Sequence, residues 1–239
     1  MAGAAEAILR RQRGITIAGL LVVTVLAWAW LASGAGMGMA MAWTAERVLL
    51  TLAMWWVMMV AMMVPTAAPV VLLYARAAPQ PHSLAFLTGY LLCWLGFSIA
   101  AVALQVALEE AGRLAPMAMA LSSRWLAGGL LIAAGLYQFT PLKGACLSHC
   151  RNPAQWLSRH FRPGPIGALH MGLSHGAFCV GCCWMLMLLL FVVGVMNLAW
   201  IAALTLLVAA EKLLPHGEWI ARVGGAAFIL WGSVILVFG

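Results

Sequence analysis

The chain has 239 residues, of which 65% are hydrophobic and only 8% charged. A soluble domain carries roughly 25% charged residues, so this one could not cover itself with polar surface in water. All six acidic residues are glutamate, which excludes an aspartyl-phosphate pump, an aspartate general base and an aspartate-bound magnesium. No GxxxxGK[ST] loop is present for a nucleotide-driven motor. The net charge of +7 sits in short flanks between apolar runs, where it marks membrane topology rather than a nucleic-acid surface.

In chain order, a basic head with Arg10, Arg11 and Arg13 precedes a first apolar run at 15–32, close to the ~20 residues that span a bilayer. Small residues follow it, so cleavage as a signal peptide is a rival reading. Further runs lie at 49–74, 84–108 and 125–139. A polar, basic stretch at 140–165 comes next, then runs at 166–193, 198–214 and 219–238. The expectation is an all-α, polytopic transmembrane helix bundle of about seven spans, or six if the first is cleaved, forming a single domain over 1–239.

The basic residues fall on alternate connections: the head, Arg76, the stretch with Lys143, Arg151, Arg159 and Arg162, and Lys212 with Arg222. The positive-inside rule makes those segments cytoplasmic. The expected protein is multi-pass, with its N-terminus and the Cys/His-bearing 140–165 loop in the cytoplasm, and with the lipid bilayer as its environment.

Candidate chemistry concentrates in the fifth run, where LSHGAFCVGCCWM places His175, Cys179, Cys182 and Cys183 at i, i+4, i+7 and i+8. At about 3.6 residues per turn these share one helix face, with Met171 one turn earlier. A second cluster, Cys146, His149 and Cys150, has i, i+3, i+4 spacing if that segment is helical. Thiolate and imidazole suit copper(I) or zinc. His175 and Cys183 stand ~12 Å apart along a helix axis, too far to share one ion. A complete site therefore needs donors from elsewhere, and the 146–150 cluster is the natural source. Cys93, alone in the third run, reads as packing.

The second run carries a methionine stripe, Met54, Met58 and Met62, with Met59 and Met63 beside it and Met37, Met39 and Met41 in the loop before. Thioether selects copper(I) over zinc, so Met58, Met59, Met62 and Met63 are expected as relay ligands in a ladder of soft donors across the membrane. That ladder requires the second and fifth runs to pack together. Pro65 and Pro69 are expected to kink the second run or loosen its backbone bonds. Glu211 and Lys212 end the sixth run, where long side chains reach the interface by snorkelling.

Several of these strings together, Met62-Met63-Val64-Pro65, Gln138-Phe139-Thr140-Pro141-Leu142-Lys143 leading into Cys146, Cys150, Arg151 and Pro153, and His175-Gly176 through Cys179, Gly181-Cys182-Cys183-Trp184 and Gly194-Val195-Met196-Asn197 to Glu211-Lys212, resemble a bacterial family of predicted metal-binding integral membrane proteins. The likeness covers roughly Met54 to Pro215. It implies a multi-span bundle in the bacterial inner membrane and metal binding, and brings no reaction or ion with it.

The expected function is handling of a soft metal, copper(I) before zinc, by transport across the membrane or delivery within it rather than by catalysis. A protein that donates or accepts metal is the candidate partner, and nucleic acid is not. Two other classes compete. One is a membrane thiol–disulfide oxidoreductase using the C-x-x-C of Cys179 and Cys182 with Cys146 and Cys150 as a resolving pair. The other is a haem- or quinone-linked subunit with His175 as an axial ligand.

Overall fold

The computed structural model describes residues 2–34, 42–78, 80–115 and 118–238. Met37, Met39 and Met41 lie outside the described residues. The architecture is helical as expected: α1 (Ala2–Ala32), α2 (Ala45–Ala77), α3 (Gln80–Glu110), α4 (Arg124–Tyr137), α5 (Pro141–Arg151), α6 (Pro153–His160), α7 (Gly164–Leu188), α8 (Leu190–Val193), α9 (Leu198–Leu213) and α10 (Gly217–Phe238). A two-residue antiparallel ladder, β1 (Leu114–Ala115) with β2 (Ala120–Leu121), links α3 to α4.

Each of the seven apolar runs coincides with a helix. Among the described residues, five helical segments are long and apolar enough to cross a membrane: Arg11–Ala32, Ala45–Ala77, Pro81–Glu110, Gly164–Val193 and Gly217–Phe238. The fourth run gives only the 14 residues of α4, ~21 Å at 1.5 Å per residue. Joined with α5 across a 64° bend it makes a sixth candidate, as a broken span or a re-entrant loop. The sixth run gives the 16 residues of α9, ~24 Å long, short of a full span on its own.

The 140–165 stretch, polar in sequence, is itself largely helical. Thr140 caps α5 by accepting from the Lys143 backbone N–H, and Pro141 stands in the first turn, where its missing N–H costs nothing. Asn152 ends α5, its side-chain amide donating back to the Ser148 carbonyl at 3.0 Å, and Pro153 starts α6 in the first turn. The segment packs back onto the bundle, burying Cys146, Leu147, Trp156 and Leu157, so the Cys/His cluster is brought against α7.

Glycines decide how closely the helices approach. A Cβ at Gly172 would stand 1.9 Å from the Phe86 carbonyl oxygen, and one at Gly89 would stand 2.2 Å from that of Leu169. Backbone therefore meets backbone along α3 and α7, as small residues permit between membrane helices. The α4–α10 pair uses the same device at Gly128/Gly232 and Gly135/Gly225.

Pro65 and Pro69 do not break α2, which runs on through both. Pro65 has no N–H to give the Ala61 carbonyl, and the Trp28 indole of α1 donates there instead at 3.2 Å. The expected loosening thus becomes a tie between two helices. Near the other end of α2, Trp55 Nε1 donates to Gln105 at 2.8 Å, Gln105 donates to Glu109 at 3.0 Å, and Glu109 pairs with Arg47 at 2.7 Å. This chain of bonds fixes α2 against α3, so that the buried methionine face of α2 looks into the core.

Candidate functional site

The helix-face reading of α7 holds: His175, Cys179, Cys182 and Cys183 are all buried, with Met171 on the same side. What they face is supplied by five other helices. From α5, Cys150 Sγ comes to 4.0 Å from Cys182 Sγ. Cys146, on the same helix, lies against Gly181, where a Cβ would approach its sulfur to 2.8 Å. From α2, Met63 Sδ lies 3.9 Å from Cys183 Sγ. The second and fifth runs therefore do meet, at Met63. Met58, Met59 and Met62 are equally buried in the same core cluster, which also holds Met63 and the α7 cysteines.

Cys179 is the centre of the arrangement: the Cys182 and Cys183 thiols donate to its carbonyl oxygen at 3.1 and 3.0 Å. The Tyr90 hydroxyl of α3 lies 3.0 Å from its sulfur and 3.2 Å from the Met63 carbonyl oxygen. The Lys212 ammonium of α9 donates to Cys179 Sγ at 3.0 Å. The same Nζ lies 3.8 Å from Cys183 Sγ, 3.9 Å from Met63 Sδ and 3.5 Å from Thr66 Oγ1. Lys212 does not snorkel outward. It is 7% exposed and points into the sulfurs.

Its neighbour Glu211 turns the other way, into a network of conventional polar bonds. Lys143 Nζ pairs with Glu211 Oε2 at 2.6 Å, and Gln138 Nε2 donates to Oε1 at 2.9 Å. Arg151 donates to the Glu211 carbonyl at 3.0 Å and also to the carbonyl of Pro215. Lys143 and Glu211 are almost fully buried. This network pins α5, the carrier of Cys146, His149 and Cys150, to the end of α9.

The two histidines form an aromatic annex one turn away. His149 stacks on Phe178 with centroids 3.7 Å apart, and its ring is 6.2 Å from that of His175. Trp156 and Tyr90 flank His175 at 5.5 and 6.0 Å. His149 Nε2 and His175 Nδ1 are buried without a hydrogen-bond partner. Orphaned ring nitrogens beside a thiol cluster fit a soft cation, because imidazole is a ligand for such ions.

Among the described residues, no three His, Cys, Asp or Glu side chains form a ready-made ion cage. The sulfurs are instead spaced in pairs. With metal–sulfur bonds of about 2.3 Å, two sulfurs on one ion stand ~3.8 Å apart at a tetrahedral angle and ~4.6 Å apart in a line. The Cys150–Cys182 and Cys183–Met63 separations, 4.0 and 3.9 Å, fall within that interval. Thiolate sulfur suits copper(I) and zinc alike, and thioether sulfur is a ligand for copper(I).

Cys93 keeps its packing role, donating to the Leu173 carbonyl at 3.1 Å. Sequence reasoning missed Tyr90 and Thr66, which carry no signal in an apolar run. It also counted Lys143 and Lys212 as solvated flank charges. An adjacent Glu-Lys pair at the end of an apolar run was the available signal, since ionisable residues there are rare unless they have work to do.

Compared with known families, residues 52–235 match the family model described as "PpoB2: Copper chaperone". No curated protein and no solved structure matches the chain.

Proposed function

This chain belongs to the PpoB2 family of copper chaperones, and from that premise we propose that it carries copper(I) within the bacterial inner membrane and hands it to a partner protein. Copper is the cargo. Cys150, Cys179, Cys182 and Cys183, with Met63, hold it; Cys146, His149 and His175 line the approach. Met58, Met59 and Met62 continue the soft surface along α2. The N-terminus and the α5–α6 segment face the cytoplasm, in line with the arginines at 10, 11, 13, 76, 151, 159, 162 and 222.

The observation that carries this reading is the convergence of sulfurs from three separate helices at chelating separations, 4.0 Å for Cys150–Cys182 and 3.9 Å for Cys183–Met63. Hand-over suits paired donors better than a closed four-ligand site. Each ion is held by few bonds, and a competing thiol can add before the old one leaves.

The test is metal analysis of detergent-purified protein prepared under reducing, anaerobic conditions. Wild type should hold near-stoichiometric copper and the Cys179→Ser/Cys182→Ser variant almost none, with an unchanged elution profile. Zinc in place of copper, or no metal even after reconstitution, would overturn the reading. The visible spectrum of the same sample reports haem directly.

One observation favours a second reading. Cys150 and Cys182 lie on different helices with sulfurs 4.0 Å apart, which a modest approach would close to the ~2.05 Å of a disulfide. A thiol–disulfide oxidoreductase would give a trapped mixed disulfide with its partner. It would tolerate loss of His149 and His175 better than a copper site would.

A further inference from the structure

Lys212 places a fixed positive charge against the very sulfurs that receive the cargo. Its Nζ contacts Cys179, Cys183 and Met63 sulfurs and the Thr66 hydroxyl, all within 4 Å. Among the described residues no carboxylate pairs with it. The nearest candidate, Glu211, has one oxygen on Lys143 and the other on Gln138. The ammonium is tethered to a buried stretch of α9, so a shift of an ångström or two to admit an ion still leaves it beside that ion.

We infer that Lys212 is a specificity-determining residue that makes the sulfur cluster select ions by charge, admitting monovalent soft cations and rejecting divalent ones. This rests on the copper reading above. The Coulomb cost of an ion beside a fixed positive charge scales with the ion's own charge, and a poorly solvated interior magnifies it. The thiolates also attract a divalent ion more strongly, but for each ion that attraction is the same with and without Lys212 and cancels when the two proteins are compared. What remains is the repulsion from Lys212, twice as large for zinc or cadmium as for copper(I) or silver(I). Softness alone does not give this result, because cadmium(II) is as thiol-loving as silver(I). A cluster of cysteines without the lysine would take both.

The experiment is competitive loading of the purified full-length protein with silver(I) against cadmium(II), and copper(I) against zinc(II), read by mass spectrometry of bound metal. Wild type should take silver and copper and exclude cadmium. Lys212→Met should raise the cadmium-to-silver ratio at least about tenfold, while Lys212→Arg, which keeps the charge, should stay near wild type. Full cadmium loading of wild type would overturn the inference, and that arm needs no variant to fold. So would an unchanged ratio in Lys212→Met, or an equal shift in Lys212→Arg, which would assign the effect to packing. Protein that binds neither silver nor copper would instead bring down the copper reading itself.

Discussion

Glu211 and Lys212 are consecutive residues at one end of α9, yet they look into two different kinds of interior. Glu211 meets a hard, charge-balanced partner set, with Lys143 at 2.6 Å and Gln138 at 2.9 Å. Lys212 meets soft, polarisable groups, the sulfurs of Cys179, Cys183 and Met63. The first set saturates its own charges and has nothing left to offer a ligand. The second leaves cysteine sulfurs facing the Lys212 ammonium, which among the described residues has no carboxylate of its own. The contrast separates the part of the molecule that fixes α5 in place from the part proposed above to receive cargo.

The largest effect is expected on the hard side. Removing one partner of a buried pair leaves a lone charge and costs about 3–5 kcal/mol, so Glu211→Ala should lower the unfolding midpoint in detergent sharply. Replacing both partners, Lys143→Met with Glu211→Met, should restore most of that stability and preserve copper content. If the double variant is stable yet metal-free, the ion pair is part of the cargo site and the division drawn above is wrong.

A smaller loss is expected where α7 lies on α3. Gly172→Ala puts a methyl into the Phe86 carbonyl, and overpacking of this kind costs about 1–3 kcal/mol. Because the displaced helix carries all three central cysteines, copper content should fall along with the melting temperature. Full copper content with a lowered melting temperature would show that the sulfur face tolerates movement.

On the soft side, Met63→Leu conserves volume and should cost under about 1.5 kcal/mol in stability. It should nonetheless weaken copper retention about tenfold, equivalent to ~1.4 kcal/mol, when challenged with a copper(I) chelator. Met62→Leu, a core position, should leave retention unchanged. Equal behaviour of the two would make the whole stripe packing. The smallest effect belongs to Cys93→Ser, which keeps a donor for the Leu173 carbonyl and should leave copper content at the wild-type level.

Much of the site could be read in advance because it lies on one helix. Residues at i, i+4, i+7 and i+8 share a face whatever surrounds them, and the α5 cluster was flagged by the same spacing. Tyr90, Thr66 and Lys212 could not be found this way. None of them belongs to a spaced set of metal-ligand residue types, and the role of each depends on which helix lies opposite. Lys143 shows the same limit from the other direction. In sequence it belongs to a basic stretch, and its carboxylate partner is 68 residues away.

The sequence by itself determined the class of the protein, the positions of its apolar helices and the softness of its donor set. Those follow from local properties: too few charges for water, runs long enough to cross a bilayer, and the fixed turn of an α-helix. Tertiary structure alone decided that Met63 rather than Met58, Met59 or Met62 reaches the cysteines, that Cys150 meets Cys182, and that a lysine stands among the sulfurs. Those depend on helix crossings set by glycine seams and buried ion pairs, where contact is made between residues that no periodicity connects.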